Sequence, residues 1–259
     1  MVDDVERLHH GLRTAFERVS GLVDGAEWRE HRGCSSLSYP SVPVTLFNGV
    51  WPVGVDVPAD AEAAADVATA VQAVEDRGGP CGVFTIEGRH PAVARAARTL
   101  GLTDEERIPG MVATTSSFRP AHDAGLRFVV VDDDASIQTA WRVTCAGFEA
   151  PDELFRPFFQ RRLLDPGVRL WLAYDGDEAV STALGFALDG ATGVFNVATP
   201  PPHRRKGYGA AVTSHAVRDG FERGSSFAFL QSSSIGHPVY RALGFDDVAT
   251  YLVLSRPGD

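Results

Sequence analysis

Between Asn196 and Val212 the chain reads NVATPPPHRRKGYGAAV: a short apolar run cut off by three prolines, then His203, Arg204, Arg205 and Lys206, then two glycines flanking Tyr208 ahead of an alanine-rich segment. If that segment is a helix, its first turn leaves backbone NH groups without intrahelical partners and carries a partial positive charge. Gly207 and Gly209 let a ligand approach the main chain closely and allow a positive φ. Arg204, Arg205 and Lys206 add full charge, and a guanidinium can grip phosphate through two parallel hydrogen bonds. Together these are the means of holding a pyrophosphate. The P-loop pattern G-x-x-x-x-G-K-[ST] is absent, and a dinucleotide fingerprint needs a third glycine where Val212 stands, so both nucleotide readings are poor. An ordinary Pro-Gly surface turn with solvated arginines is the alternative that the residues leave open.

The rest of the composition makes this cluster a local device. The formal charge is -10 with a pI near 5.2, and Lys206 is the only lysine. A surface field of that sign repels nucleic acid and anionic lipid, so neither is expected as a partner. No run approaches the roughly 18 apolar residues of a membrane span, and the opening MVDDVERLHHGLR is charged, which gives a cytoplasmic location as the expectation. Cys34, Cys81 and Cys145 are too scattered for a disulfide framework or a zinc site and read as buried thiols. His203 and His237 flank the turn's neighbourhood without metal-ligand spacing, so no metal is expected. Ser232 to Ser234 lack the G-x-S-x-G context of a hydrolase nucleophile.

The elements that would position the turn follow from periodicity. Val5, Leu8, Leu12, Phe16 and Val19 make a helical stripe over residues 3 to 23. Short β-type runs broken by prolines follow from Ser36 to Val53, then a helix from Asp60 to Arg77 stopped by Gly78-Gly79-Pro80. Next come a buried strand in CGVFTIEG, a helix from Pro91 to Leu100, a strand from Met111 to Thr115 and a linker from Ser116 to Gly125. The second half reads LRFVVV as a strand, Ala135 to Ala146 as a helix, and a loop leading to a second helix interrupted near Pro157. Three strands over Leu170 to Tyr174, Ala179 to Leu188 and Gly193 to Thr199 are joined by Asp-Gly turns. After the basic turn come a helix to about Arg223, the strand FAFLQ, a short helix over Pro238 to Leu243 and the final strand ATYLVLS. The order is β-α-α-β-β-β-α-β-α-β.

The halves echo each other. LFNGVWP resembles VFNVATP with the asparagines offset by 196 - 48 = 148, and the two His-Pro pairs are offset by 237 - 90 = 147. The glycines that follow them, Gly101 and Gly244, are offset by 244 - 101 = 143. Similar offsets between like elements point to a duplicated fold. The copies diverge at the turn, where the first reads PVGVDVPADAEAAA and has neither the cations nor the paired glycines.

The spacing Arg204-x-x-Gly207-x-Gly209 resembles the Q/R-x-x-G-x-G/A signature of the GNAT N-acetyltransferase superfamily. YRALGF, from Tyr240 to Phe245, resembles that family's closing Tyr-x-x-x-Gly-Phe element, and the element order is the family's order. The resemblance covers roughly Leu126 to Ser255. It implies an α/β fold with a central mixed, mostly antiparallel sheet splayed at the acetyl-CoA site and flanked by helices. On this reading residues 121–259 are a catalytic domain, and residues 1–120 a degenerate GNAT-like copy without a coenzyme A loop, as in tandem GNAT proteins.

The resemblance further implies acetyl-CoA as the cofactor, with the backbone of Val197, Ala198 and Thr199 along its pantetheine arm. The loop from Arg204 through Arg205, Lys206, Gly207, Tyr208 and Gly209 to Ala210 would hold its pyrophosphate, and a backbone NH near Val197 would stabilise the oxyanion. Tyr240 stands where the family places the general acid that returns a proton to the leaving thiolate, although a tyrosine packed under the last strand is the plain structural alternative. Ser233 stands where the family often has an asparagine, a departure from its pattern, and a serine hydroxyl can still bond to the pantetheine or the backbone. Glu149, Asp152, Phe155 and Asn196 are the acceptor-side candidates; a solvated loop with Asp152 as helix cap, core packing for Phe155, and a buried, satisfied asparagine are their plain alternatives. The general base is not identifiable. The implied partner is a small-molecule or peptide amine, with a homodimer as a further expectation. A non-catalytic acyl-CoA-binding regulatory module is the competing class.

Overall fold

A computed structural model describes residues 3–56, 61–123 and 125–258. In chain order the helices are α1 (Asp4–Leu22), α2 (Ala61–Glu75), α3 (Pro91–Thr99), α4 (Asp134–Phe148), α5 (Asp152–Phe155), α6 (Tyr208–Glu222) and α7 (His237–Ala242). The strands are β1 (Glu27–Glu30), β2 (Cys34–Ser38), β3 (Gly49–Pro52), β4 (Gly82–Ile86), β5 (Asp104–Thr114), β6 (Arg127–Val130), β7 (Val168–Asp175), β8 (Glu178–Leu188), β9 (Ala191–Ala198), β10 (Phe227–Gln231) and β11 (Asp246–Ser255). The fold is α/β, with mixed open sheet flanked by helices. Two compact units form, one from residues up to Gly110 together with Asp247 onward, the other from Met111–Asp246.

In the first unit β1, β2 and β3 are antiparallel neighbours, and β3 returns through α2 to parallel β4. α1 starts at Asp3, whose carboxylate accepts the Val5 NH at 3.2 Å, and buries Leu8, Leu12, Ala15 and Phe16. β4 takes β11 as its other neighbour, with antiparallel pairs from Tyr251↔Ile86 to Leu254↔Val83. Thus the last strand of the chain completes the first unit. β5 crosses the boundary the other way, since Met111 and Ala113 lie in the core of the second unit with Ala228, Leu230 and Tyr240. The compact units therefore do not coincide with the halves 1–120 and 121–259, because the closing strand of each half contributes to the other half's unit.

The second unit is an antiparallel run β6-β7-β8-β9, with β9 joined through α6 to parallel β10. Strand alternation puts successive side chains on opposite faces. Leu170 and Leu172 accordingly pack with Ile137, Ala140 and Trp141 of α4, whereas Trp171 and Ala173 pack with Tyr208, Ala211 and Val212 of α6. α4 opens on a capping box between Asp133 and Ser136, which satisfies two of its first-turn donors.

Several elements differ from the expected ones. β1 reads EWRE and was not foreseen, because its charged, partly exposed residues carry no apolar alternation. β5 spans 11 residues instead of the five from Met111, since DEERIP at its start is mostly exposed. The helix expected beyond Ala150 is a single turn, α5, followed by 3-10 turns at Arg156–Phe158 and Arg161–Leu163, as Pro157 prevents its continuation. Asp60, where the second helix was expected to begin, lies outside the described residues.

The two halves can be compared element by element. Each half runs through antiparallel strands into a parallel strand-helix-strand crossover, then a helix and a strand, and Gly101 and Gly244 end α3 and α7 with φ of 87° and 85°. Asn48 and Asn196 are not counterparts. Asn48 precedes β3, accepting from the Tyr39 NH and donating to the Val42 and Val44 carbonyls, whereas Asn196 lies inside β9.

Candidate functional site

β9 and β10 pair only at Phe227↔Ala191, Ala228↔Thr192 and Phe229↔Gly193. β9 continues to Ala198 and β10 to Gln231 without further pairs between them, so the two strands part. The cause is visible in the β8 ladder. Thr182 pairs Ala198 and Leu184 pairs Phe195, so two steps on β8 oppose three on β9. The extra residue is Asn196, a bulge with φ of 50°. Asparagine is among the few residues that enter this left-handed region readily. Its Nδ2 donates to Thr144 Oγ1 of α4 at 3.0 Å, which holds the bend. Ser181 then donates to the Ala198 carbonyl at 2.9 Å and lies 2.8 Å from Thr199 Oγ1, which fixes the strand's far end to β8.

The prolines form a 3-10 turn at Pro201–His203, and Arg204 turns back beneath it. Its Nε donates to the Thr199 carbonyl at 3.1 Å, and a terminal nitrogen meets the Gly147 carbonyl and the Glu149 carboxylate, both at 2.8 Å. The guanidinium ties the end of β9 to the end of α4, which makes Arg204 a positioning residue for the loop. The next residues turn sharply: Arg205 has φ of 63° and Gly207 has φ of 82°, and α6 starts immediately after. The first NH of this stretch to find an acceptor in the main chain is that of Ala211, bonded to the Gly207 carbonyl at 2.9 Å. Among the described residues, the six NH groups from Arg205 to Ala210 have no protein acceptor.

Arg205 and Lys206 are exposed beside these donors, and among the described residues neither is held by a carboxylate. A Cβ at Gly209 would sit 3.3 Å from Thr199 Oγ1, so glycine lets the first turn of α6 close against the end of β9. A Cβ at Gly207 would meet nothing within 4 Å; there the left-handed φ is what favours glycine. Tyr208 is buried and donates to Asp175 at 2.5 Å, pinning the helix start to the end of β7.

Tyr240 lies in α7 among Met111, Val194, Leu230 and Phe245, its ring 6.1 Å from that of Phe245. No protein group among the described residues engages its hydroxyl. Burial pushes the phenol up to about 12, so it stays protonated through the neutral range.

Residues 137–245 match the sequence model described as the acetyltransferase (GNAT) family. The second unit carries a GNAT acetyltransferase domain. The match begins within α4 and ends on Phe245, the last residue of YRALGF, and so takes in the parted strands, the basic turn and Tyr240. The fold is similar to that of a GCN5-related N-acetyltransferase from Kribbella flavida, with a TM-score of 0.73 and 25% identity over 96% of each chain. A GCN5-related N-acetyltransferase from Sphaerobacter thermophilus is similar in fold at a TM-score of 0.61 and 15% identity, over 88% of this chain and 82% of its own. A functionally unknown conserved protein from Staphylococcus epidermidis shares the fold at 0.66 and 11% identity, over 90% and 94%. Comparison with curated protein sequences finds none that matches.

The remaining expected residues of the GNAT domain are placed as follows. Val197 and Ala198 lie past the last β9 to β10 pair, and Thr199 is the first residue beyond the strand. Ser233 accepts the Gly236 NH at 3.1 Å and so braces the turn before α7. Glu149 ends α4 with φ of 54° and is paired with Arg204. Asp152 does not cap α5 with its side chain, because Pro151 holds the cap position; its carbonyl instead accepts the Trp141 indole NH at 3.1 Å. Phe155 packs at the edge of the α4 core, 5.4 Å from the half-exposed Phe148. The structure brings Asn196, Arg204, Glu149 and the loop together and leaves Asp152 and Phe155 at the two ends of α5.

Thr144, Asp175 and Ser181 were not anticipated. Each is a common polar residue whose partner is more than ten positions away, and no local pattern marks such a contact. No cluster of three or more metal-ligating side chains occurs among the described residues, and no described helix is long and apolar enough to cross a membrane.

Proposed function

We propose that the GNAT domain binds acetyl-CoA in the gap between β9 and β10 and catalyses direct transfer of its acetyl group to an amine of a small molecule or peptide. The observation that carries this reading is the run of unclaimed NH groups from Arg205 to Ala210, at the start of a helix and at the open end of two parted strands. Such a row of donors with two exposed cations suits a diphosphate. The overall negative charge of the chain makes a general anion surface a poor alternative. Acetyl-CoA supplies an activated acyl group as a thioester.

The chain's own residues would do the rest. Backbone groups of Val197, Ala198 and Thr199, freed from β10, orient the bound ligand, and a donor near Val197 polarises the reacting carbonyl. Arg204 keeps the loop in register through its three acceptors. Ser233 contributes by shaping the turn before α7. Tyr240 holds a proton on an oxygen that no protein group claims, the state required of a donor to a departing thiolate. Glu149 is the acceptor-side carboxylate nearest this machinery.

We further propose that the first unit is a degenerate copy that takes no coenzyme A. The imidazole of His90 spans from β4 to the chain beyond β3: Nδ1 accepts the Ile86 NH at 3.0 Å and Nε2 donates to the Gly54 carbonyl at 2.8 Å. His9 donates to the Pro52 carbonyl at 2.7 Å and lies 3.2 Å from the Tyr251 hydroxyl. Backbone groups that a ligand would need are thereby taken by buried side chains.

The test is thiol release from acetyl-CoA against a panel of amines, alongside calorimetric titration with coenzyme A. Release that depends on an amine supports acetyl transfer. Binding without release from any amine would favour a regulatory acyl-CoA-binding module instead.

A further inference from the structure

Gln231 is the last residue of β10, two positions beyond the last residue paired to β9. Its carboxamide nitrogen is shielded from solvent and has no hydrogen-bond partner. More than nine in ten buried polar groups are satisfied in folded proteins, and an unsatisfied donor costs roughly 1–3 kcal/mol. An exception at the mouth of a parted strand pair therefore calls for a ligand. The other orphaned side chains of the second unit lie elsewhere. Trp171 and His215 pack on each other, with ring centroids 4.3 Å apart, and Thr213 is buried in α6.

Strand alternation decides which side of the gap Gln231 serves. Ala228 and Leu230 pack with Val217 and Tyr240, on the face of α6 and α7. Phe227, Phe229 and Gln231 share the other face, where the ring of Phe229 meets that of Phe195 at 6.1 Å. That is the face from which Asn196 reaches α4. Tyr240 and Gln231 thus flank the opening from opposite faces, the phenol on one and the carboxamide on the other.

We infer that Gln231 is a specificity-determining residue, whose NH2 donates to a neutral oxygen, a carbonyl or hydroxyl, carried by the acceptor close to its amine. The acceptor class is then an oxygen-bearing amine, such as an α-amino amide, a peptide terminus or an amino alcohol, in preference to a plain alkylamine or polyamine. This rests on the acetyl-transfer reading. A neutral donor suits an uncharged oxygen, and a site built to hydrogen-bond an oxygen discriminates against the analogue that lacks it, because its own buried group is then left unpaired.

The experiment measures kcat/KM for thiol release with a panel of primary amines in matched pairs, each pairing an α-amino amide or amino alcohol with the hydrocarbon amine of the same shape. It compares the wild type, Gln231→Leu and Gln231→Glu. The wild type should favour the oxygen-bearing member, and Gln231→Leu should reduce that preference by about tenfold, the loss of one neutral hydrogen bond. Thermal stability of Gln231→Leu should be unchanged or higher, since the orphaned donor is removed, whereas a structural glutamine would lower it. Gln231→Glu, similar in shape but an acceptor when ionised, should lose the preference as well.

Two results would overturn the inference: an oxygen preference that is absent or untouched by both variants, or a uniform rise in the KM for acetyl-CoA with every amine, which would place the carboxamide on the pantetheine arm. Failure of the acetyl-transfer reading looks different, as no amine would then release thiol at all.

Discussion

Replacing Gly207 by alanine isolates the backbone geometry of the turn. Gly207 has φ of 82° and ψ of 1°, and a Cβ built there meets no atom within 4 Å. The substitution therefore introduces strain without a clash, and a left-handed conformation costs an L-residue roughly 1–2 kcal/mol. That cost has two places to go. If the loop keeps its shape, the folded protein is destabilised by roughly 1–2 kcal/mol and its Tm falls by roughly 2–8 °C, with affinity for coenzyme A unchanged. If the loop relaxes to negative φ, stability is kept, but the donors from Arg205 to Ala210 must be re-formed on binding. The Kd then rises by about 5- to 30-fold. The losses in folding and in binding should together come to about 1–2 kcal/mol, read from melting curves and from calorimetry on the same variant. Gly207→Asn should recover much of it, because asparagine tolerates this region. A Gly207→Val variant with wild-type Tm and wild-type Kd would refute the reasoning, since a β-branched residue cannot adopt this conformation without cost.

Four further outcomes follow from the geometry. Tyr240→Phe should lower kcat by about 10²-fold or more while leaving the Kd for coenzyme A within about twofold, in keeping with a proton donor rather than a binding group. Burial lowers the pKa of His9 to about 4 and that of His90 in the same direction, so both are neutral in the folded first unit. Their contribution to stability is present above the unfolded value near 6.5 and is lost as pH falls below it; for His9 the loss runs down to about 4 and is on the order of 3 kcal/mol. Denaturant titrations at pH 7.5 and 4.5 should show the fall, and His9→Asn should reduce proton uptake on unfolding near pH 5 by close to one. Arg204→Lys should lower the Tm and weaken coenzyme A binding severalfold, because one ammonium cannot serve acceptors on Thr199, Gly147 and Glu149 together. Asn196→Ala should destabilise by roughly 1–3 kcal/mol, combining left-handed strain with loss of the Thr144 bond, and Asn196→Gly by less.

What the sequence discloses depends on whether a feature is made by local chemistry. The basic turn is legible because prolines, cations and paired glycines act on the backbone where they stand. YRALGF is legible because a helix ending at a left-handed glycine carries its signal within six residues. The bulge at Asn196 is not, since what creates it is a mismatch of step against β8 that no single strand displays. Arg204 reads as a cation free for phosphate, and only the fold reveals the carbonyls of Thr199 and Gly147 around it. The exchange of closing strands is equally hidden. The later part of β5 and all but the start of β11 are apolar runs that would satisfy either sheet, and partner choice is a tertiary property. β1 and the start of β5 escape notice because their charged residues erase the alternation that marks a strand.

The central claim is that the donors and cations around Gly207 hold the diphosphate of one coenzyme A molecule per chain, while in the first unit His9 and His90 occupy backbone groups of Pro52, Gly54 and Ile86. Isothermal titration of the purified protein with coenzyme A tests it most directly. The account predicts saturable binding at one equivalent, undisturbed by ATP or NAD and weakened by Gly207→Val. No heat of binding, or two equivalents per chain, would contradict it.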